Sequence, residues 1–275
     1  MTTGFNWHRW RLAITGSIII GIILIAAIFA PWLAPYSPYD LDVAAMLQGP
    51  SAAHWLGTDE LGRDTLSRLI YAARISMQVA FIAAGVGLVC GTLIGVTAAY
   101  FGGLVDLVLM RLMELLFSFP AILLAVVLMA SLGTSILNAM IAIGIVFIPG
   151  FSRLARAATE VVLREQYVES ARAIGMSNTR ILFREILPNI IAPLLVEAAV
   201  AFSYAILLES ALSFLGLGAQ PPEPSWGNML NVGRGFMAQS LMLSLAPGMA
   251  IFLTVLGFNF IGDGLRDALD PHMKD

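Results

Sequence analysis

Reactive groups are sparse in this chain of 275 residues, and their placement excludes most chemistry. His8, His54 and His272 fall in three separate segments and Cys90 is the single cysteine, so no cluster has metal-ligand spacing and no internal disulfide can form. Lys274 is the only lysine and no GxxxxGK[ST] loop occurs, so the usual phosphate cradle of a nucleotide site is missing. What remains are carboxylates inside apolar runs, Glu114, Glu197 and Glu209, which are costly to bury and so are functional candidates by default. They lie on two runs without a serine–histidine or paired-aspartate arrangement, which argues against an intramembrane enzyme. Arg111 and Glu114, spaced i, i+3, are expected to pair at the rim of their span. Glu209 is placed near the outer end of its run, where it either lines a translocation path or bonds a neighbouring helix. Glu197, closer to the inner end, is expected to make such a structural bond.

The elements that carry these residues must live in lipid. Hydrophobic residues make up 59% of the chain, charged residues only 12%, and mean hydropathy is +0.85, an apolar excess that one soluble core cannot hide. A net charge of -3 offers no basic face for nucleic acid. Because a bilayer core needs about 20 apolar residues per helix, six spans are expected: about 12–33, 76–100, 110–132, 136–152, 190–215 and 241–261. The fold class is therefore an all-α integral membrane protein. The first span is too long for a signal-peptide core and is expected to remain as an anchor after a short cytoplasmic N-terminus, 1–11.

Six spans put both termini on one side, and the distribution of Arg and Lys chooses the side. Arg9 and Arg11 precede span one, six arginines from Arg153 to Arg184 lie between spans four and five, and Arg266 and Lys274 follow span six, all of which predicts cytoplasmic termini. Arg63, Arg68, Arg74 and Arg234 then fall outside, the first three offset by Asp59, Glu60 and Asp64. Span two carries small residues at every fourth position, Gly87, Gly91, Gly95, Ala99 and Gly103, a stripe suited to close backbone approach by a helix of this chain or of a second subunit. Pro120, Pro149 and Pro247 are expected to kink spans three, four and six.

The segment between spans four and five is too long for a turn and too periodic for a linker. Thr159 to Ile174 has no helix breaker and sets Tyr167, Ala171 and Ile174 on one face. Gly175 stops that helix, Ser177 is a candidate N-cap for a second one reaching Leu187, and Pro188 marks the return to the membrane. The apolar face either folds back on the chain's own spans or fills a partner's groove.

The string YVESARAIGMSNTRILFREILPN, Tyr167 to Asn189, resembles the EAA loop of ABC importer permeases. Three further strings, His54 to Ser76, Glu209 to Leu230 and Asn259 to Asp275, are similar to the peptide/nickel (oligopeptide and dipeptide permease) family, so the likeness covers nearly the whole chain. Ser170 stands where the family usually has a second Ala, and Glu185 where it often has His.

The resemblance implies that residues 12–275 are the membrane domain of a binding-protein-dependent ABC importer. It would form half of a translocation path beside a homologous permease subunit. Two cytoplasmic ABC ATPase subunits would consume the ATP, with no cofactor bound by this chain, in a bacterial inner membrane. The family's coupling helix corresponds to about Tyr167 to Ile174, with Glu169, Ser170, Ala171, Gly175 and Pro188 at motif positions. An extracytoplasmic substrate-binding protein would meet the outer segments, where Pro221, Pro222 and Trp226 form a stiff tip or a plain rigid loop. Peptides are the favoured substrates, with glutathione-like solutes and nickel chelates as the alternatives. An ion-coupled secondary carrier is the rival of another class, although no broken-helix pattern is mirrored between the two halves.

Overall fold

Helices account for nearly all the regular structure in the computed structural model, which describes residues 7–269. The first span is α1 (Trp7–Ile28), followed by a single turn, α2 (Ala30–Leu33), with Pro31 near its start. Span two is part of α3 (Thr65–Phe101), 37 residues long and beginning well before Ser76. At 1.5 Å per residue such a helix exceeds a bilayer core of about 30 Å, so one end stands clear of it.

Asp64 explains why α3 starts where it does. Its Oδ2 accepts from the Ser67 backbone N–H at 2.7 Å and from the Ser67 hydroxyl at 2.7 Å, while His54 Nδ1 lies 2.9 Å from Oδ1. This buried cap satisfies a donor that a helix start otherwise leaves open. Asp64→Ala is expected to cost about 1–2 kcal/mol, seen as a lower melting temperature of the detergent-purified chain. An unchanged transition would show that water replaces the cap.

A straight third span is not what forms. α4 (Gly103–Phe117) and α5 (Ala121–Leu132) meet at 93° across Ser118–Pro120. The expected kink is a full corner, because Pro120 lacks an N–H and keeps Phe119 out of the helical region. Among the described residues, five helices are long and apolar enough to cross a membrane, or six spans if the bent pair counts as one. α6 (Ile136–Val162) and α7 (Gln166–Ala173) follow, then α8 (Asn178–Ile181), a π turn over Leu182–Ile186, and α9 (Leu187–Phe214). Contrary to expectation, Pro188 ends nothing. Asn178–Phe214 is one helical run, in which the π turn, closed by Leu187 N–H on the Leu182 carbonyl, leads into the proline at the start of α9. α10 (Trp226–Gly235) and α11 (Met242–Leu269) complete the chain.

Two close contacts organise the bundle. The stripe on α3 packs against α6 of the same chain, which decides between the two partners left open by the sequence. A Cβ on Gly87 would sit 2.5 Å from Phe147 Cβ, and one on Gly91 2.5 Å from Phe151 Cβ. Gly103 does not share this contact and instead opens α4 with φ +54°. α1 packs against α11, where Gly16 faces Gly257 and Ala13 faces Gly264. The start of α1 and the end of α11 therefore lie at one end of the bundle, with α7. The segments 34–64 and 215–241 lie at the other, called here the loop end.

Candidate functional site

The short helix α7 lies between α6 and α8, too short to span a membrane. No breaker separates it from α6, yet the chain turns at Leu163–Glu165, where Arg164 and Glu165 donate to the carbonyls of Val161 and Val162 at 3.1 Å. The expected single helix over 159–174 is thus two. Burial gives the reason: Val162, Val168 and Ala171 are all buried, and on a straight helix Val162 and Val168 would point about 120° apart. Tertiary burial outweighs helix propensity here.

The same seam splits the expected apolar face. Ala171 packs inward beside Val168, whereas Tyr167 is 40% and Ile174 78% exposed. Glu169, Ser170 and Gly175 are exposed with them, and so is Pro188 further on. Burial and the nearby Glu165 and Glu185 carboxylates push the Tyr167 hydroxyl above its usual range, so it stays a neutral group.

Gly175 makes the elbow. Its φ of +76° is followed by two reverse bonds, Met176 N–H to the Ala171 carbonyl and Gly175 N–H to the Arg172 carbonyl, each 3.0 Å. These close α7 in a Schellman motif. Ser177 occupies the predicted N-cap position of α8, although its hydroxyl makes no capping bond. Tyr100 at the end of α3 ties the elbow down. Its hydroxyl donates to Asn178 Oδ1 at 2.8 Å, and the Arg172 guanidinium lies 5.4 Å from its ring centroid.

The loop end is sewn together by buried polar groups. Asp59 Oδ2 lies 2.7 Å from Arg63 Nε and 3.3 Å from Arg68 Nε, and Glu60 lies 3.0 Å from Arg63. Asp59 and Glu60 thus offset Arg63 and Arg68 as expected, but Asp64 serves His54 and Ser67 instead of an arginine. The Tyr39 hydroxyl donates to Glu223 at 3.1 Å, linking the two loop segments. Burial first, then the Glu223 charge, raises its pKa above the usual tyrosine value.

One sequence expectation is corrected at this end, and one alternative is decided. Trp226 is no exposed tip. It is 2% exposed, with its indole N–H donating to the Leu69 carbonyl at 3.2 Å, so only Pro221 and Pro222 remain at the surface. Of the two readings of Glu209, the bond to a neighbouring helix holds. The side chain is buried between α3 and α9, where Ser213 donates to Oε1 at 2.7 Å and Ser76 to Oε2 at 3.4 Å.

A family model described as "Binding-protein-dependent transport system inner membrane component" matches residues 91–275, and one described as "N-terminal TM domain of oligopeptide transport permease C" matches residues 7–50. The chain belongs to the first of these families. It is a permease subunit of a binding-protein-dependent ABC importer, a multi-pass membrane protein whose family works with ATPase and substrate-binding partners.

The permease is 49% identical to the dipeptide transport system permease protein DppC of Alkalihalophilus pseudofirmus, over 96% of this chain and 87% of that protein. It is 44% identical to the glutathione transport system permease protein GsiD of Escherichia coli, over 98% and 90%. Among solved structures it shares its fold with a chain of the MetNI methionine ABC transporter in an inward facing conformation. That match has TM-score 0.59 and 17% identity, and covers 74% of the permease and 97% of that chain.

Two features of the permease escaped sequence reasoning, the Asp106–Arg156 pair and the cleft at Glu197. Asp106 and Arg156, 50 residues apart, form a two-pronged pair with both bonds at 2.6 Å, which fastens α4 to α6. The predicted Arg111–Glu114 pair does form, at 2.9 Å, but on the surface. The Ser118–Pro120 corner was signalled by its proline. Glu197 was expected to bond a neighbouring helix, yet it makes no hydrogen bond among the described residues and borders a cleft of about 410 Å³ beside that corner.

Proposed function

We propose that this permease forms half of the translocation path of a dipeptide importer, and that α7 is the part gripped by the ATPase subunits. The observation that carries the coupling role is the exposed pair Tyr167 and Ile174 on a short helix fixed sideways by Gly175 and Tyr100. Such a face fits a groove on a partner, and a rigid elbow passes a push from that partner into α6 and α9. The dipeptide assignment is supported by the 49% identity to a dipeptide permease.

In this reading the α7 end and both termini are cytoplasmic. Six arginines cluster near α7, while at the loop end Arg63 and Arg68 are neutralised by Asp59 and Glu60. A homologous permease completes the path, two ATPase chains bind and hydrolyse ATP, and this chain binds no nucleotide or cofactor. The extracytoplasmic binding protein meets the exposed Pro221 and Pro222 on the sewn loop surface.

Reconstitution tests this. Proteoliposomes holding the permease pair and the ATPases, given binding protein and internal ATP, are expected to take up a labelled dipeptide, and to lose uptake when either ATP or binding protein is omitted. Accumulation driven by an ion gradient without ATPases would overturn it. Preferential uptake of glutathione over the dipeptide would move the substrate assignment to the class that GsiD represents.

A further inference from the structure

The cleft beside the α4–α5 corner combines an apolar, aromatic lining with one carboxylate that has no partner among the described residues. Its wall contains Phe117, Phe119, Phe147, Phe151, Tyr204 and Glu197. Its volume of about 410 Å³ falls within the range of about 300–1,000 Å³ usual for small-molecule sites. Phe119 is 58% and Tyr204 44% exposed, so the cleft opens on the surface of the subunit rather than closing inside it.

Charge sets what the cleft can hold. Glu197 is the only ionisable group besides Tyr204 among the lining residues, and it makes no hydrogen bond or ion pair among the described residues. Arg153 is engaged elsewhere: its guanidinium lies 3.5 Å from the centroid of the Phe117 ring, and it lines the separate cleft that contains Asp106 and Arg156. A carboxylate within a span and without a partner among the described residues suits a cation supplied from elsewhere. Glu197 and Tyr204 are seven residues apart on α9, two turns, so both face the cleft about 10 Å apart along the helix. The Tyr204 ring is 6.1 Å from that of Phe147, which leaves an aromatic wall between them.

Resting on the dipeptide reading above, we infer that this cleft is a substrate subsite in which Glu197 receives the free α-ammonium of a passing peptide while Phe147, Phe151 and Tyr204 hold its first side chain. The match is one of opposite charge and apolar surface, with room for one or two residues. The unpaired acid gives selectivity for a cationic peptide end without a deep, closed pocket, which suits a site that must also release its ligand.

The test uses the complete importer in proteoliposomes, with liganded binding protein at saturation so that its own affinity does not limit uptake. Labelled Ala-Phe uptake is compared between wild type, Glu197→Gln and Glu197→Asp, with assembly checked by size-exclusion chromatography of the purified complex. The Gln variant is expected to lose roughly tenfold or more of its uptake, the scale of one hydrogen bond to a charged group. Asp is expected to restore most of it. Wild-type uptake by the Gln variant would overturn the inference, as would failure of that variant to assemble, which would make Glu197 a packing residue. If wild type itself failed to import dipeptides, the substrate assignment under the proposed function would fall instead.

Discussion

Gly175→Val in the reconstituted importer is expected to bring uptake close to background while the chain still inserts and joins its partners. At φ +76° a residue with a Cβ pays about 1–2 kcal/mol, and a β-branched one is the least tolerated there. No neighbouring atom lies within 4 Å of where that Cβ would stand, so the cost comes from backbone geometry and not from a clash. Relieving it means giving up the bonds of Met176 to Ala171 and Gly175 to Arg172, which lets the end of α7 fray. Fraying leaves the bundle intact, since the buried anchors Val168 and Ala171 lie further back. It removes the stiffness that would carry an ATPase movement into the spans. Hydrolysis by the ATPase subunits should persist but lose its stimulation by liganded binding protein. Gly175→Asn should fall between, because Asn tolerates this conformation better than other side chains. Wild-type uptake in the Val variant would show that the elbow is not part of the drive.

Gly95→Leu is expected to have the larger effect on the fold itself. A Cβ there would press on the Ser152 carbonyl oxygen, and it would come within 2.8 Å of the Arg156 backbone nitrogen and 2.9 Å of Ala155 Cβ. These are mostly backbone atoms of α6 and cannot rotate away, so the two helices must separate. Overpacking at such a contact costs about 3 kcal/mol, and the separation also strains the Asp106–Arg156 pair that ties α6 to α4. Loss of folded, detergent-extractable protein is the expected readout. Gly85→Leu on the same helix is the control. Nothing lies within 4 Å of a Cβ at Gly85, so that variant should express normally. Equal behaviour of the two variants would mean that α3 and α6 do not depend on their close approach.

Much of this protein is legible from solvent alone. Uncharged runs of span length mark where helices form, because unpaired backbone groups are not tolerated in lipid. Each predicted span falls on a long helix or on the bent pair, except that the first ends at Ile28 and its last residues form the separate turn α2. The stripe from Gly87 to Gly95 announces a close helix contact, and Gly175 announces a helix end. The boundaries were less legible, since α3, α6 and the run ending at Phe214 all extend well past the apolar stretches that signal them. Those extensions are held by caps, ion pairs and packing at the bundle ends, which hydropathy does not register.

The site was half readable. Side-chain type and spacing picked out the loop from Tyr167 to Pro188, but which edge of α7 is buried depended on a turn at Leu163–Glu165 that no residue there demands. Local sequence sets which conformations are cheap, as at Asp64, Pro120 and Gly175, and the bilayer sets which stretches must be helical. Whether a given polar or aromatic side chain ends inside or outside depends on what distant segments bring to it. Trp226 is buried by Leu69, Glu209 is satisfied by Ser76 and Ser213, and Glu197 is left without a partner. All three outcomes turn on contacts or gaps between residues far apart in the chain, where pairing free energy exists only once the bundle has closed.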